Sequence, residues 1–342
     1  MLSYLQKSDT SELNPGDINL QEIYENTKFS GLKIIGVEYN GKSRIYIVLV
    51  QEFKSSVYLA VYDIKRERIS TLRLIENFSN FIDYEQFVSA KAYLINNEYI
   101  YFYLLTTHKV LVMEVSNKTL SGKITNKLAK HDLKETINAT MAVVSGYPFL
   151  AGGSLGGLRG SYIAYLGSVA GYFRYKYLHY ERNNPILLQF QDAMYFIGGA
   201  LMPKKEPLVE YHPLFFPKKE ISYYGASIYA YSYRKNIVYP IVCYEEINLR
   251  VDALNAVAIP YITEIYLFTK QSFYYERTFY RFNILNNNWT IYEVDKNIFQ
   301  QRKLKEISGI NSVNVNNIGY IFLSGYQGGT FLIETFKFKP LF

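Results

Sequence analysis

The sequence predicts an all-β fold, a β-propeller, and three observations support this prediction. A unit of short, Tyr-rich strands recurs along the chain at intervals of about fifty residues. Within each unit, apolar runs of strand length alternate with turn residues, as in the outer strands of a propeller blade. Helical periodicity is nearly absent. The second strands of successive units are centred near Val48, Phe102, Leu150, Ile197, Leu267 and Leu323.

The first two repeats align with each other. The first covers residues 32–75, where Asn40-Gly41 separates two apolar runs. This pair is a strong hairpin signal because both residue types tolerate a positive φ. The second repeat covers residues 87–125 and has an aromatic strand after its first turn. Both repeats therefore predict an inner strand, a turn, an aromatic strand and a third strand that ends in a polar turn.

The later repeats are less regular. The third, residues 139–180, is rich in glycine, and the fourth begins at Ile186 and is interrupted by a Pro- and Lys-rich insertion at residues 203–220. The fifth, residues 253–294, is the clearest, with three apolar runs separated by turn signals. The sixth, residues 310–342, ends one strand short of the others.

This repeat count predicts one propeller domain over residues 32–342, with six blades fitting best in a range of five to seven. Seven blades would require residues 227–246 to form a blade of their own. Because the sixth repeat lacks a last strand, we expect the N-terminal segment, residues 1–31, to supply it and close the ring, which removes free sheet edges. A two-sheet β-sandwich or jelly roll is the competing fold, and the repeat spacing favours the propeller.

Glycine doublets close the second strands of three repeats, at Gly152-Gly153, Gly198-Gly199 and Gly328-Gly329. In the fifth repeat, Tyr280 and Trp289 follow further along the chain. These features resemble the kelch repeat, whose signature is a glycine doublet after an apolar strand and then a Tyr and a Trp. The resemblance covers about half of the blades and implies a kelch-like propeller fold. We interpret the doublets as bulges or tight turns without a binding role.

Composition and charge narrow the class of protein. Apolar residues make up 49% of the 342, so a large core is expected and disorder is not. Tyr accounts for 35 residues, and the single cysteine, Cys243, excludes an internal disulfide. The net charge of +7 comes without a Lys/Arg run typical of nucleic-acid binding, so we favour a basic surface over a nucleic-acid partner.

The sequence predicts no transmembrane segment, because its apolar stretches are only as long as strands. Residues 1–17 lack the positive start and apolar centre of a signal peptide. We therefore expect a cytoplasmic or virion-associated protein. The Tyr, Ile, Asn and Lys content resembles that of proteins from viruses of hyperthermophilic archaea, a resemblance of composition that no motif carries.

Signals for catalysis or metal binding are weak. The Gly-rich run at residues 151–160 lacks the Lys-Ser/Thr of a phosphate loop, so it predicts a loop between strands. None of the histidines has a partner at metal-ligand spacing, and neither a metal nor a cofactor is expected. The histidines are His108, His131, His179 and His212. Carboxylates that could meet in a channel, without a spacing that favours any pair, are Asp132, Glu135, Asp192, Glu245, Glu246 and Asp252.

The insertion is the best candidate for an interaction surface. It combines Lys pairs, prolines and an apolar cluster, and proline lowers the ordering cost of an exposed loop. Exposed phenylalanines need either a partner or a packing site, so a loop folded back onto the propeller rim is the other interpretation. The predicted contact residues are Lys204, Lys205, Tyr211, Leu214, Phe215, Phe216, Lys218 and Lys219.

We therefore predict a non-enzymatic protein-interaction or structural module, virion-associated or surface-exposed, whose partner is a protein or a surface polymer. The oligomeric state stays open. The alternative is a propeller enzyme, a hydrolase or lyase that acts on glycans in the central channel. Several carboxylates, His or Arg side chains at one mouth of the channel would favour the enzyme. Apolar and aromatic side chains across one face would favour binding.

Overall fold

The structure, a computed structural model, describes residues 3–12, 32–51, 56–77, 87–107, 109–125, 139–152, 162–166, 173–177, 184–199, 228–232, 237–241, 251–274, 278–293, 304, 306–327 and 330–340. Within these ranges the chain forms twenty-four strands and one 3-10 turn, Gln271–Phe273. The all-β prediction is confirmed. In the same ranges, the structure contains no helix with the length and apolar character that a membrane crossing requires.

The described strands form six four-stranded antiparallel sheets. The first sheet consists of β2 (Leu32–Tyr39), β3 (Arg44–Gln51), β4 (Ser56–Asp63) and β5 (Arg68–Asn77). The second consists of β6 (Phe87–Ile95), β7 (Tyr99–Thr106), β8 (Val110–Ser116) and β9 (Gly122–Thr125). The third consists of β10 (Ala139–Val144), β11 (Tyr147–Gly152), β12 (Tyr162–Leu166) and β13 (Phe173–Tyr177).

The remaining sheets follow the same order along the chain, with one exception. The fourth consists of β14 (Ile186–Phe190), β15 (Ala193–Ile197), β16 (Ile228–Ser232) and β17 (Ile237–Ile241). The fifth consists of β18 (Ala256–Tyr261), β19 (Glu264–Thr269), β20 (Thr278–Asn283) and β21 (Asn288–Glu293). The sixth consists of β22 (Glu306–Val315), β23 (Ile318–Gln327), β24 (Thr330–Pro340) and β1 (Ser3–Glu12). In that sheet β1 runs antiparallel to β24, with Ser3 opposite Pro340.

Two sets of strand pairings test expectations from the sequence. Because β16 pairs with both β15 and β17, the two strands belong to the fourth sheet, as the fourth repeat predicts, and not to a seventh blade of residues 227–246. The hairpin that Asn40-Gly41 predicts is present between β2 and β3. There Asn40 Oδ1 accepts hydrogen bonds from the N–H groups of Lys42, Ser43 and Arg44, at 2.9, 3.0 and 3.0 Å, so the side chain holds the turn.

The first strand of each sheet forms the inner wall of a ring. Strands β2, β6, β10, β14, β18 and β22 contact one another in that order, and β22 contacts β2. Apolar clusters fill the junctions between neighbouring sheets. This radial order is that of a β-propeller, which confirms the predicted arrangement, and the described strands do not form the two face-packed sheets of a sandwich.

The junction between the last and the first sheet is well packed. The Tyr62 ring stands edge-on to those of Tyr320 and Phe322, with centroids 6.1 and 5.5 Å apart. All three rings are buried, and burying an aromatic side chain of this size contributes about 1.5–3 kcal/mol. Lys337 Nζ also donates a hydrogen bond to Glu67 across this junction. The last and the first sheet therefore hold each other through side-chain contacts.

Candidate binding site in the central channel

The first strands enclose a channel at the centre of the ring. A cavity of about 920 Å³ runs along it, and its described lining comes from all six sheets. This volume is typical of small-ligand pockets. The charged residues in that lining are Lys33, Lys91, Lys270 and Asp252. The described lining therefore has more positive than negative charge.

One mouth of the channel lies where the first strands begin. Lys33 is the second residue of β2, Asp252 precedes β18, and Lys270 directly follows β19. Lys270 donates a backbone hydrogen bond to the Asn255 carbonyl oxygen at 2.7 Å, and its Nζ donates to the Ser308 carbonyl oxygen at 2.8 Å. We call Lys33, Asp252, Asn255 and Lys270 the basic mouth.

The charges of the basic mouth act on one another. Burial lowers the pKa of Lys270, the Asp252 carboxylate opposes this shift, and the Lys33 ammonium lowers the pKa further. An ammonium that is partly desolvated beside another cation is stabilised when an anion approaches. The basic mouth is therefore suited to an anionic group.

The one carboxylate of the basic mouth is held in its own turn. Asp252 is buried, and its Oδ1 accepts hydrogen bonds from the N–H groups of Leu254 and Asn255 at 2.9 and 3.0 Å. Its Oδ2 accepts a third from Asn255 Nδ2 at 3.0 Å. A short acidic side chain that bonds the backbone two residues ahead stabilises a turn. Both carboxylate oxygens thus have structural partners, and they hold the loop that leads into β18.

A close backbone contact defines the neighbouring edge of the mouth. Gly199 N–H donates to the Val251 carbonyl oxygen at 2.6 Å, and a Cβ on Gly198 would lie 2.1 Å from that same oxygen. The two glycines have φ values of 63° and 93°. The doublet therefore serves a tight turn against the next sheet, as we inferred for it from the sequence.

Amide and hydroxyl groups complete the polar part of the described lining: Ser89, Thr140, Asn184, Ser308, Asn311, Ser312 and Asn314. Two of the amides join neighbouring first strands. Asn311 Nδ2 donates to the Ile34 carbonyl oxygen at 3.3 Å, and Asn314 Nδ2 donates to the Pro260 carbonyl oxygen at 2.8 Å. These bonds connect β22 to β2 on one side and to β18 on the other.

A second charged pair joins the first strands of the first two sheets. Lys91 Nζ, on β6, is 3.6 Å from Glu38 Oε1, on β2. Burial raises the pKa of Glu38, although the Lys91 charge and a hydrogen bond from the Ala92 backbone favour the ionised form. A buried carboxyl group with a raised pKa is a feature that functional sites share with some structural ion pairs.

Only some of the site residues predicted from the sequence lie among the described residues. All eight predicted contact residues of the insertion, from Lys204 to Lys219, lie outside the described residues, as do the four histidines. Of the carboxylates, Asp252 lines the channel and Asp192 is exposed in the turn between β14 and β15. The remaining candidates, Asp132, Glu135, Glu245 and Glu246, lie outside the described residues. In the described ranges, no group of three or more His, Cys, Asp or Glu side chains is placed to hold a metal ion.

The three lysines of the channel were missed from the sequence. Lys33 and Lys91 each lie within an apolar first strand, in the strings LKIIG and SAKAY. A lysine inside the innermost strand of a blade is a signal, because that strand borders the channel. Lys270 has no such signal, since it follows the second strand of its sheet and reaches the mouth only through the fold.

The fold, but not the sequence, resembles known proteins. YjhT matches with a TM-score of 0.55 at 11% identity, over 90% of this chain and 95% of that chain. A luciferin-regenerating enzyme matches with a TM-score of 0.49 at 9% identity, over 92% and 96%. TolB from Acinetobacter baumannii matches with a TM-score of 0.43 at 10% identity, over 94% and 68%. At these identities the likeness to YjhT concerns the propeller fold alone.

No protein-family model matches the chain, and no curated protein matches its sequence.

Proposed function

We propose that this chain is a non-enzymatic protein-interaction module whose basic mouth binds an acidic segment of a protein partner. The observation that carries the proposal is that Lys33 and Lys270 both line the channel, beside a carboxylate whose oxygens are already bonded. Ammonium groups bind carboxylates through charge-assisted hydrogen bonds. The amides and hydroxyls along the wall can bond the backbone of a segment that enters the channel.

The insertion belongs to the same proposal. The connection that contains it leaves β15 at Ile197 and returns at Ile228, and these two residues pair with each other. The N–H of Gly199 in that connection bonds Val251 beside Asp252. Both ends of the connection therefore lie near the basic mouth. We propose that Phe215 and Phe216 add apolar anchors to the contact that the lysines begin.

The scaffold that presents these groups is, in our proposal, a kelch-like ring of six blades. The N-terminal segment, residues 1–31, closes it, and residues 32–342 form one domain. The contacts of the six first strands and the pairing of β1 with β24 support this description. A virion-associated or surface-exposed setting stays a prediction from composition.

Fluorescence anisotropy with a labelled peptide rich in Asp and Glu tests the proposal. The K33Q/K270Q double variant should weaken binding by about tenfold or more, because two charge-assisted contacts are lost. Binding by the native chain should also weaken with added salt. The matched control is Lys118→Gln, which removes an exposed lysine in the turn between β8 and β9. The proposal would be overturned if the double variant and the control bound the peptide with equal affinity. If the native chain bound an acidic polysaccharide but not the peptide, the partner would be a polymer rather than a protein.

Replacing both phenylalanines of the insertion by Ser tests the second part. The F215S/F216S variant should bind the partner more weakly and keep the melting temperature of the native chain. Unfolding of this variant would instead make the loop structural.

A glycan-acting hydrolase or lyase is the second candidate. The observation in its favour is Glu38, whose carboxyl group has a raised pKa and lies beside Lys91, a residue of the channel lining. A glycosidase needs a second carboxyl group at a set distance, and the described lining supplies only Asp252, which is bonded to its turn. If the native chain cleaved an oligosaccharide and the Glu38→Gln variant did not, the protein would be a glycan-acting enzyme.

A further inference from the structure

A row of tyrosines lies at the other end of the second sheet. Tyr99, Tyr101 and Tyr103 occupy alternate positions of β7 and so share one face of the sheet. Tyr93, on β6, stacks on Tyr103 with centroids 4.1 Å apart and planes at 16°. Tyr101 is 5.8 Å from Tyr93, and Tyr99 is 6.0 Å from Tyr101. We call Tyr93, Tyr99, Tyr101 and Tyr103 the tyrosine row.

The row runs from the interior to the surface. Tyr103 is buried, and its hydroxyl donates to the Gly146 carbonyl oxygen at 2.8 Å, in the turn between β10 and β11 of the next sheet. Tyr101 and Tyr99 precede Tyr103 along β7 by two and four residues, so at about 3.3 Å per residue they extend past that turn. Tyr99 is 38% exposed, and Tyr147, which follows Gly146, is 43% exposed. Tyr99 is therefore open to solvent, and Tyr101 next to it is half-buried.

The turn that presents the row is rigid. Asn96 Oδ1 accepts hydrogen bonds from the N–H groups of Glu98 and Tyr99, at 2.9 and 2.7 Å. Asn117 Nδ2 donates to the Asn96 carbonyl oxygen at 2.7 Å, and Asn117 Oδ1 accepts from Tyr46 of the first sheet at 2.6 Å. A ligand would thus meet rings that are already ordered, which lowers the entropic cost of binding.

The charged groups around the row include both signs. Glu98 precedes Tyr99, and Glu114 lies opposite Tyr101 in the ladder between β7 and β8. Lys123 lies opposite Glu114 on β9, and Lys42 Nζ donates to Asn97 Oδ1 at 3.0 Å. Two carboxylates and two ammonium groups thus border the row, so these four select neither an anionic nor a cationic ligand. Burial raises the pKa of Tyr93, Tyr101 and Tyr103, so their rings stay neutral at ordinary pH.

We propose that the tyrosine row binds an uncharged carbohydrate chain. The apolar C–H face of a sugar can cover the rings of Tyr99 and Tyr101, which removes apolar surface from water. Each sugar hydroxyl both donates and accepts, and the rim offers amides, carboxylates and ammonium groups side by side. This site is separate from the basic mouth and does not depend on the acidic partner proposed for it.

Calorimetric titration with neutral oligosaccharides of glucose, mannose, galactose and N-acetylglucosamine tests the inference. At least one of them should bind the native chain, and the Y99A/Y101A variant should lose about tenfold in affinity. The Y99F/Y101F variant keeps both ring faces and should bind within about threefold of the native chain. These substitutions alter residues on the outer part of the row, and melting temperatures establish that the variants fold.

The matched control is Tyr292→Ala, which removes a half-buried tyrosine that stacks on Phe279 in the fifth sheet. It should leave saccharide affinity unchanged. Failure of every oligosaccharide to bind at millimolar concentration would overturn the inference. It would equally be overturned if Y99A/Y101A bound like the native chain, or if the row instead bound peptides and lost them in that variant.

Discussion

The two ends of the propeller carry different groups and are assembled in different ways. The basic mouth takes Lys33 from the first sheet and Asp252 and Lys270 from the fifth, and it borders Ser308 of the sixth. The tyrosine row comes from β6 and β7, the two strands of a single hairpin. The mouth therefore depends on the meeting of distant sheets, whereas the row depends mostly on local register. We therefore expect opening of the ring to disturb the basic mouth more than the tyrosine row.

Removal of residues 1–31 should have the largest effect, because it deletes β1 and leaves β24 as a free edge. We expect the melting temperature to fall by about 5 °C or more. Acidic-peptide binding at the mouth should fall much further than saccharide binding at the row, and thermal unfolding with the two titrations measures both. Addition of a peptide of residues 1–12 should restore part of the lost stability by strand addition. An unchanged melting temperature would mean that β1 contributes nothing to the ring.

Substitution of Asp252 separates the structural from the electrostatic role of the basic mouth. Asp252→Ala removes the acceptors of three hydrogen bonds in a buried turn and should cost about 1–3 kcal/mol of unfolding free energy in urea titrations. Asp252→Asn keeps an acceptor for the two N–H groups and should cost less. Because it also removes a negative charge next to Lys270, it should tighten acidic-peptide binding several-fold. Weaker peptide binding by Asp252→Asn would show that the carboxylate serves the ligand rather than the turn.

The smallest effect is expected from the pH dependence at the buried end of the tyrosine row. Burial raises the pKa of Tyr103 to about 12 from its ordinary value of 10.0, with the charges of Tyr93 and Tyr147 adding to the shift. The folded state thus favours the neutral side chain. The contribution of Tyr103 to the free energy of unfolding is therefore complete below pH 10 and is lost as the pH rises through about 12. Urea unfolding between these pH values should show a steeper loss of stability for the native chain than for Tyr103→Phe. The variant should be less stable at pH 7, since it loses the bond to Gly146.

Much of the fold is predictable from local sequence. Asn40-Gly41 marks a hairpin because glycine readily adopts a positive φ and the Asn side chain bonds the N–H groups of the turn. The aromatic runs of β7 and β19 mark strands that are almost fully buried. The assignment of β16 and β17 was the difficulty. A 30-residue connection separates them from β15, so local spacing left a separate seventh blade open, and strand pairing confirms their place in the fourth sheet.

The candidate site is far less predictable. Strand alternation indicates which side chains share a face of one sheet, but it carries no information about which loops of other sheets meet there. Lys270 follows a second strand and would be assigned to a solvated turn from sequence alone. Its bond to Ser308 shows that it reaches the sixth sheet.

Local sequence is enough to identify this chain as a repeat of short antiparallel strands, because turn residues and period-two alternation act within a few residues of each other. It also determined the tyrosine spacing on β7, which follows from the same alternation. Tertiary packing alone brings the charges of Lys33 and Asp252 close enough to act on Lys270, and it places β1 beside β24. The proximity of Lys33 to Lys270 and the pairing of β1 with β24 join residues more than two hundred positions apart. They exist because neighbouring sheets bury apolar faces against each other until the first sheet meets the last.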